Sequence, residues 1–229
     1  MPHFDLLTNP DGSVRQLLKD GEPYDEPLRF EQLYSIVATY FKLAGSNLHS
    51  MQATDDQARL RDHGLQAFLM SLTGIEAFTN VFFTLAAEQS DNEVLRSRVN
   101  KFGPLVERLR NCIDLAFGQK LEGQDVLLAE IKKLYSLRNR IVHPRWDPAS
   151  VTIGGALPIS FSGMALNFQA AFEDVALCQE AFDWCLLLVI RVARAAGNDP
   201  VDGFCFHWTG QYGLTEEAVL QRLGLGVYD

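Results

Sequence analysis

From residue 30 onward the apolar positions recur every three or four residues, the spacing that gathers them on one face of an α-helix. Leu33, Ile36, Val37, Tyr40, Phe41 and Ala44 form such a face and predict a first helix over residues 31–49. A second is predicted from about Asp55 to Ala87, and its latter half is apolar nearly all round, as in a helix surrounded by others. Within it, Gly64 and Gly74 either weaken the helix or admit a close neighbour. A short helix over Asn92–Phe102 stops at Gly103-Pro104, and Pro104 can begin the next, which ends near Phe117-Gly118. The fourth long helix starts after Gly123 and ends near Val142, because Pro144 disfavours helical geometry at His143. The last is predicted over Asn167–Ala196, with Phe168, Phe172, Val175, Phe182, Leu186 and Val189 inward and Gly197 as its stop.

Elsewhere the period falls to two. Phe4–Thr8, the turn Asn9-Pro10-Asp11-Gly12 and Ser13–Leu18 predict a hairpin-like appendage within residues 1–29. Val151, Ile153, Leu157, Ile159 and Phe161 alternate about Gly154-Gly155, a second hairpin inserted at about 148–163. In the tail, residues 198–229, Phe204, Phe206 and Trp208 alternate, and Thr215 can cap a terminal turn opening Glu216-Glu217-Ala218. The expected fold is all-α: an antiparallel four- or five-helix bundle over residues 30–197, with small β-hairpin appendages and a tail whose aromatics pack back on the bundle.

Composition fits one core with appendages. Of 229 residues, 47% are hydrophobic, enough to fold by burial without disulfides or metal, and no linker divides the chain into comparable halves. The net charge of −9 argues against a protein that wraps duplex DNA, since such proteins neutralise phosphates with Lys and Arg. Cys112, Cys178, Cys185 and Cys205 form no CxxC pair and have no His at ligand spacing, so no metal or other cofactor is expected, and reduced core thiols are. The start Met1-Pro2-His3-Phe4 does not read as a signal peptide, which predicts a cytoplasmic protein. Leu65–Ala87 has the length of a membrane span but carries Glu76 and Asn80, and no membrane association is expected.

One break in the pattern carries chemistry. Leu127, Ile131, Leu134 and Ile141 mark the inner stripe of the fourth long helix, and the missing member of the series is Arg138. A guanidinium where a leucine would satisfy the pattern must be paired, or face a cleft or a subunit interface. Asn139 and His143, four apart, share a face; Pro144 frees His143 to leave the helix, so that its ring can swing toward Arg138 and the exposed carbonyls. Glu76, among Leu72, Ile75, Phe78 and Val81, is the expected partner of Arg138 or Arg140; the alternative is that its helix rolls to bring it to solvent. Single Arg, Asn and His residues near a helix C-terminus also serve as caps and dipole partners.

Leu137-Arg138-Asn139-Arg140-Ile141-Val142-His143-Pro144 resembles the signature of HEPN domains: Arg, a polar residue often Asn, three more residues, then His, near the end of the penultimate core helix. Gly74-Ile75-Glu76-Ala77-Phe78-Thr79-Asn80 is similar to the Ile-Glu-Ala-x-x-Asn stretch of many HEPN-like proteins. The resemblance covers about residues 30–196. It implies a homodimer in which two Arg-x4-His motifs face one cleft, and a metal-independent endoribonuclease of toxin or defence type, with an antitoxin as a possible partner. Arg138 would stabilise the phosphorane, His143 act as general acid or base, and Asn139 orient one of them. The toxin branch commonly carries a tyrosine two residues after the His; here Pro144-Arg145 follows, and Arg145 is a candidate phosphate contact. The alternative is an inactive HEPN-like module that binds RNA, a nucleotide or a protein.

Overall fold

The computed structural model describes residues 4–9, 14–24, 33–143, 151–153, 159–161, 172–198 and 200–225. The chain divides into two compact units, residues 1–32 and 33–229. In the first, β1 (Phe4–Thr8), β2 (Val14–Lys19) and β3 (Glu22–Pro23) form an antiparallel sheet in that order, so the expected hairpin gains a third strand. Asp20 and Gly21 connect β2 to β3 with φ of 54° and 87°. Positive φ at both central residues gives the turn whose twist matches that of the flanking strands.

Among its described residues the second unit is helical apart from one hairpin. Its helices are α1 (Leu33–Gln52), α2 (Gln57–Gln89), α3 (Glu93–Val99), α4 (Leu105–Phe117), α5 (Gln124–Val142), α6 (Val175–Ala195), α7 (Asp202–Thr209) and α8 (Glu216–Arg222). Between α5 and α6, β4 (Val151–Ile153) pairs antiparallel with β5 (Ile159–Phe161), Thr152 opposite Ser160. Side-chain oxygens set several starts: Asp56 accepts from the N–H groups of Ala58 and Arg59, Asn92 from Leu95, and Thr215 from Ala218. Gly118 and Gly210, both left-handed, close α4 and α7.

One sequence expectation needs correction. The last long helix, expected from Asn167, is broken at Asp174, which is extended (φ −84°, ψ 97°) and whose carboxylate accepts from Leu177 N; Phe172 and Glu173 before it are helical, and α6 starts at Val175. A cap of this kind overrides an apolar period that would have run through it; Phe168 lies outside the described residues, and Phe172 precedes the cap, its ring 6.5 Å from that of Phe68. In the tail, the alternating Phe204, Phe206 and Trp208 lie on a helix. Phe204 and Trp208, four apart, share the face against α2, with Trp208 5.2 Å from Phe78 and Phe204 5.7 Å from Phe82, while Phe206 is exposed.

The core centres on α6, which packs on α1, α2, α5, α7 and α8 and is buried at every residue from Ala181 to Ile190. Asp183, the charge within that run, is held by Arg222 of α8: Nη2 donates to Oδ1 at 2.7 Å and Nε reaches both oxygens at 3.0 Å. Gln179 Nε2 donates to the same carboxylate at 3.0 Å. On α2, a Cβ at Gly64 would lie 2.0 Å from Phe172 O, and one at Gly74 would lie 3.2 Å from the Phe41 ring. Both glycines therefore admit close neighbours. By length and composition α2 could cross a membrane, but half of its apolar window is buried inside the fold.

Candidate functional site

Along α5 the inner stripe is built as its spacing requires: Leu127, Ile131 and Leu134 are buried, Ile141 is half-buried, and Arg138 takes the position between them. The Arg138 side chain is only 19% exposed, so its charge must be met locally. Three groups meet it. Nη2 lies 3.8 Å from Glu76 Oε2 on α2, an ion pair just beyond hydrogen-bond length. Nη1 donates to Asn139 Oδ1 at 3.1 Å. The Tyr135 ring, one turn back on α5, stands 5.3 Å from Arg138 Cζ, within reach of a cation–π attraction.

Tyr135 closes the arrangement. Its hydroxyl donates to Glu76 Oε2 at 2.7 Å, the same oxygen that faces Arg138. Burial, followed by the hydrogen bond to Glu76, pushes the phenol up to about 12, so Tyr135 stays protonated and remains a donor at neutral pH. Glu76 is a third exposed, so it pairs with Arg138 and also meets solvent, combining the two placements considered for it. Arg138 Nε is buried with no hydrogen-bond partner among the described residues, and Arg108 Nε, from α4, is in the same condition.

His143 leaves the helix as the following proline predicts, with φ −123° and ψ 66°, and its N–H closes the last turn on Asn139 O at 2.9 Å. Its side chain is exposed and makes no hydrogen bond or ion pair among the described residues. Arg138 thus turns to Glu76, Tyr135 and Asn139, and no bond joins it to His143. Arg140 is exposed. Pro144 and Arg145 lie outside the described residues.

Beside this cluster a cleft of about 700 Å³ opens between α4 and α5. Asn139, Ser136, Tyr135 and Lys132 line it from α5, and Leu105 and Arg110 from α4. Reading the sequence missed Tyr135; the cleft it expected at Arg138 itself opens beside that residue, along Tyr135 and Asn139. An aromatic residue three positions before an arginine at an inner position was the available signal, since residues i and i+3 are neighbours on a helix.

All four cysteines are buried thiols outside any disulfide, and burial raises each, Cys112 to about 11 and Cys178 and Cys205 to about 12. His63 Nδ1 lies 2.8 Å from Asn47 Oδ1, tying α2 to α1, and His49 is exposed. Among the described residues no three His, Cys, Asp or Glu side chains converge as a metal site. Compared with known proteins, the chain matches no family model, no curated protein and no solved structure.

Proposed function

We propose that the C-terminal end of α5 is the catalytic edge of a HEPN-like, metal-independent endoribonuclease, a cytoplasmic antiparallel helical bundle that works as a homodimer. The observation that carries this reading is Arg138: a guanidinium in a core position, anchored by Glu76, Tyr135 and Asn139, at the same helix end as an exposed His143 that bonds to none of the described side chains. In the reaction the ribose 2′-oxygen attacks the adjacent phosphorus and the P–O5′ bond breaks, leaving a 2′,3′-cyclic phosphate and a 5′-hydroxyl. One His143 takes the 2′-hydroxyl proton, and His143 of a second copy gives a proton to the departing O5′. A histidine suits both roles because its ordinary pKa lies near neutrality. Arg138 balances the charge of the phosphorane, and Asn139, whose Oδ1 is taken by Arg138, keeps its amide N–H groups for a phosphate or ribose oxygen. Arg140 and Arg145 add cationic contacts to the strand.

Incubation of the full chain with a mixed RNA pool tests this reading. Cleavage to cyclic-phosphate ends is expected from the wild type and its loss from Arg138→Ala and His143→Ala; cleavage that persists in both variants, or none in the wild type, overturns it. A second reading, a binding module without turnover, is favoured by one specific feature: the Arg138 charge is already balanced by Glu76 and no bond links it to His143. Light scattering separates the two. Arg138→Ala that dissociates the dimer supports a structural interface, whereas a dimer that stays intact and loses activity supports catalysis.

A further inference from the structure

The chain holds more acids than bases, 29 against 20, yet residues 96–110 reverse that balance: Arg96, Arg98, Lys101, Arg108 and Arg110 stand against one carboxylate, Glu107. Arg96 is turned to Glu93 and Asp91, and Arg110 to Asp125. Arg98, Lys101 and Arg108 form no ion pair among the described residues. These three cations line a recess of about 140 Å³ with Glu107 and Asn111, where the turn from α3 meets the first turns of α4. Three positive charges against one negative leave the recess cationic on an acidic protein.

The same turn holds Phe102 out in solvent at 100% exposure, so both faces of its ring are open. The turn is pinned at each end. Asn100 closes α3, its Nδ2 donating to Arg96 O at 3.1 Å; Lys101 N donates to Arg98 O at 3.2 Å; and Pro104, with φ −58°, begins α4. Arg108 joins this surface to the candidate catalytic edge. It is half-buried, and its Nε has no hydrogen-bond partner among the described residues. Its charge acts in two directions. Burial raises the Cys112 thiol, which Arg108 and Arg98 oppose; burial and Glu76 raise the Tyr135 phenol, which Arg138 and Arg108 oppose. Arg108 thus stands between the recess and the Tyr135–Arg138 cluster.

We infer that the α3–α4 turn is the entry site for a single-stranded RNA, with one base stacked on Phe102, the neighbouring phosphates at Arg98, Lys101 and Arg108, and the strand continuing past Arg108 to Arg138. The inference rests on the ribonucleolytic reading for the identity of the strand. An open aromatic ring set among cations is the general arrangement of single-strand binding, because every base has a π-face and every link carries a phosphate. Other anionic partners fit less well. In a duplex the bases are stacked on one another and out of reach of Phe102. A bilayer is flat, and brings no phosphate into a recess whose inner cation, Arg108, is half-buried.

The test uses the full chain and a fluorescein-labelled single-stranded RNA decamer with 2′-O-methyl riboses, which cannot be cleaved, read by anisotropy. Phe102→Ala, at a fully exposed position, should weaken binding about tenfold with an unchanged circular dichroism spectrum. Phe102→Trp, which keeps a stacking surface, should bind at least as tightly as the wild type. Lys101→Gln should weaken binding about threefold and flatten its salt dependence. On the same backbone without bases, Phe102→Ala should change nothing while Lys101→Gln keeps its effect. The inference falls if the wild type does not bind the decamer, if Phe102→Ala binds it as the wild type does, or if Phe102→Ala weakens binding to the abasic strand as much. Binding to phosphatidylserine vesicles but not to the decamer, or a dimer that needs Phe102 while RNA affinity does not, also overturns it. Parallel assays on unmodified RNA keep the two readings apart. Phe102-dependent binding with no cleavage removes the ribonuclease and leaves the entry site; cleavage by Phe102→Ala and Lys101→Gln with wild-type KM removes the entry site and leaves the ribonuclease.

Discussion

The Tyr135 hydroxyl and the Glu76 carboxylate, 59 residues apart in the chain, meet at 2.7 Å and tie α5 to α2 at the point where Arg138 enters the inner stripe. Glu76 offers one oxygen to both a phenol and a guanidinium, so the two donors depend on one acceptor. Tyr135→Phe keeps the ring over Arg138 and removes the donor; it should cost about 1 kcal/mol in urea unfolding. Glu76→Ala removes the acceptor from both and should cost more, about 2 kcal/mol. Equal losses in the two variants would show that Arg138 does not depend on Glu76.

The raised Tyr135 phenol gives a pH dependence of defined sign. Its folded pKa of about 12 lies above the ordinary tyrosine value of about 10, so the folded state holds its proton longer than the unfolded chain does. The stabilisation is fully present below pH 10 and is lost as pH rises through 12. Tyrosinate absorbance should show a phenol titrating near 12, and Tyr135→Phe should abolish that step.

Arg222→Ala leaves Asp183 buried in the middle of α6 with Gln179 as its one remaining donor among the described residues. Breaking a buried pair from one side costs more than the pair contributes, because the remaining charge is stranded. Arg222 is 40% exposed, so water reaches its end of the contact, and a loss of about 2 kcal/mol is expected in thermal or urea unfolding. A double variant, Asp183→Asn with Arg222→Ala, should recover part of it.

Gly64→Ala places a Cβ 2.0 Å from the Phe172 carbonyl oxygen, a backbone atom that no rotamer change can move aside. The segment carrying Phe172 must shift away from α2, at a cost of about 3 kcal/mol. Gly74→Ala, which meets a phenyl ring at 3.2 Å, should cost less, and the ratio of the two in one unfolding series measures the difference between backbone and side-chain neighbours.

Burial raises all four thiols, so a thiol-specific disulfide reagent at pH 8 should label the folded protein slowly at every cysteine and label four per chain in denaturant. Rapid labelling of one thiol in the folded protein would contradict its buried placement.

Much of the fold was legible because helical periodicity is local. The stripes of α1, α2 and α5, the cap at Thr215, the stop at Gly118 and the inserted hairpin each follow from residues within a few positions of one another. Where local signals compete, the pattern misleads: Asp174 capped a helix whose apolar period ran through it, and an alternating Phe204-x-Phe206-x-Trp208 took the helical face that α2 could bury.

The site divides in the same way. The sequence by itself determined that Arg138 interrupts an inner stripe and that His143 leaves the helix before Pro144, since both depend on spacing along one element. Only the tertiary structure decided that Tyr135 completes the ring around Arg138, that Glu76 is its partner, and that a cleft leads from α4 to Asn139. Those features need α2, α4 and α5 to be placed side by side. Spacing along each helix fixes which face is apolar, but the packing of side chains between helices fixes which polar groups at the edge of that face meet.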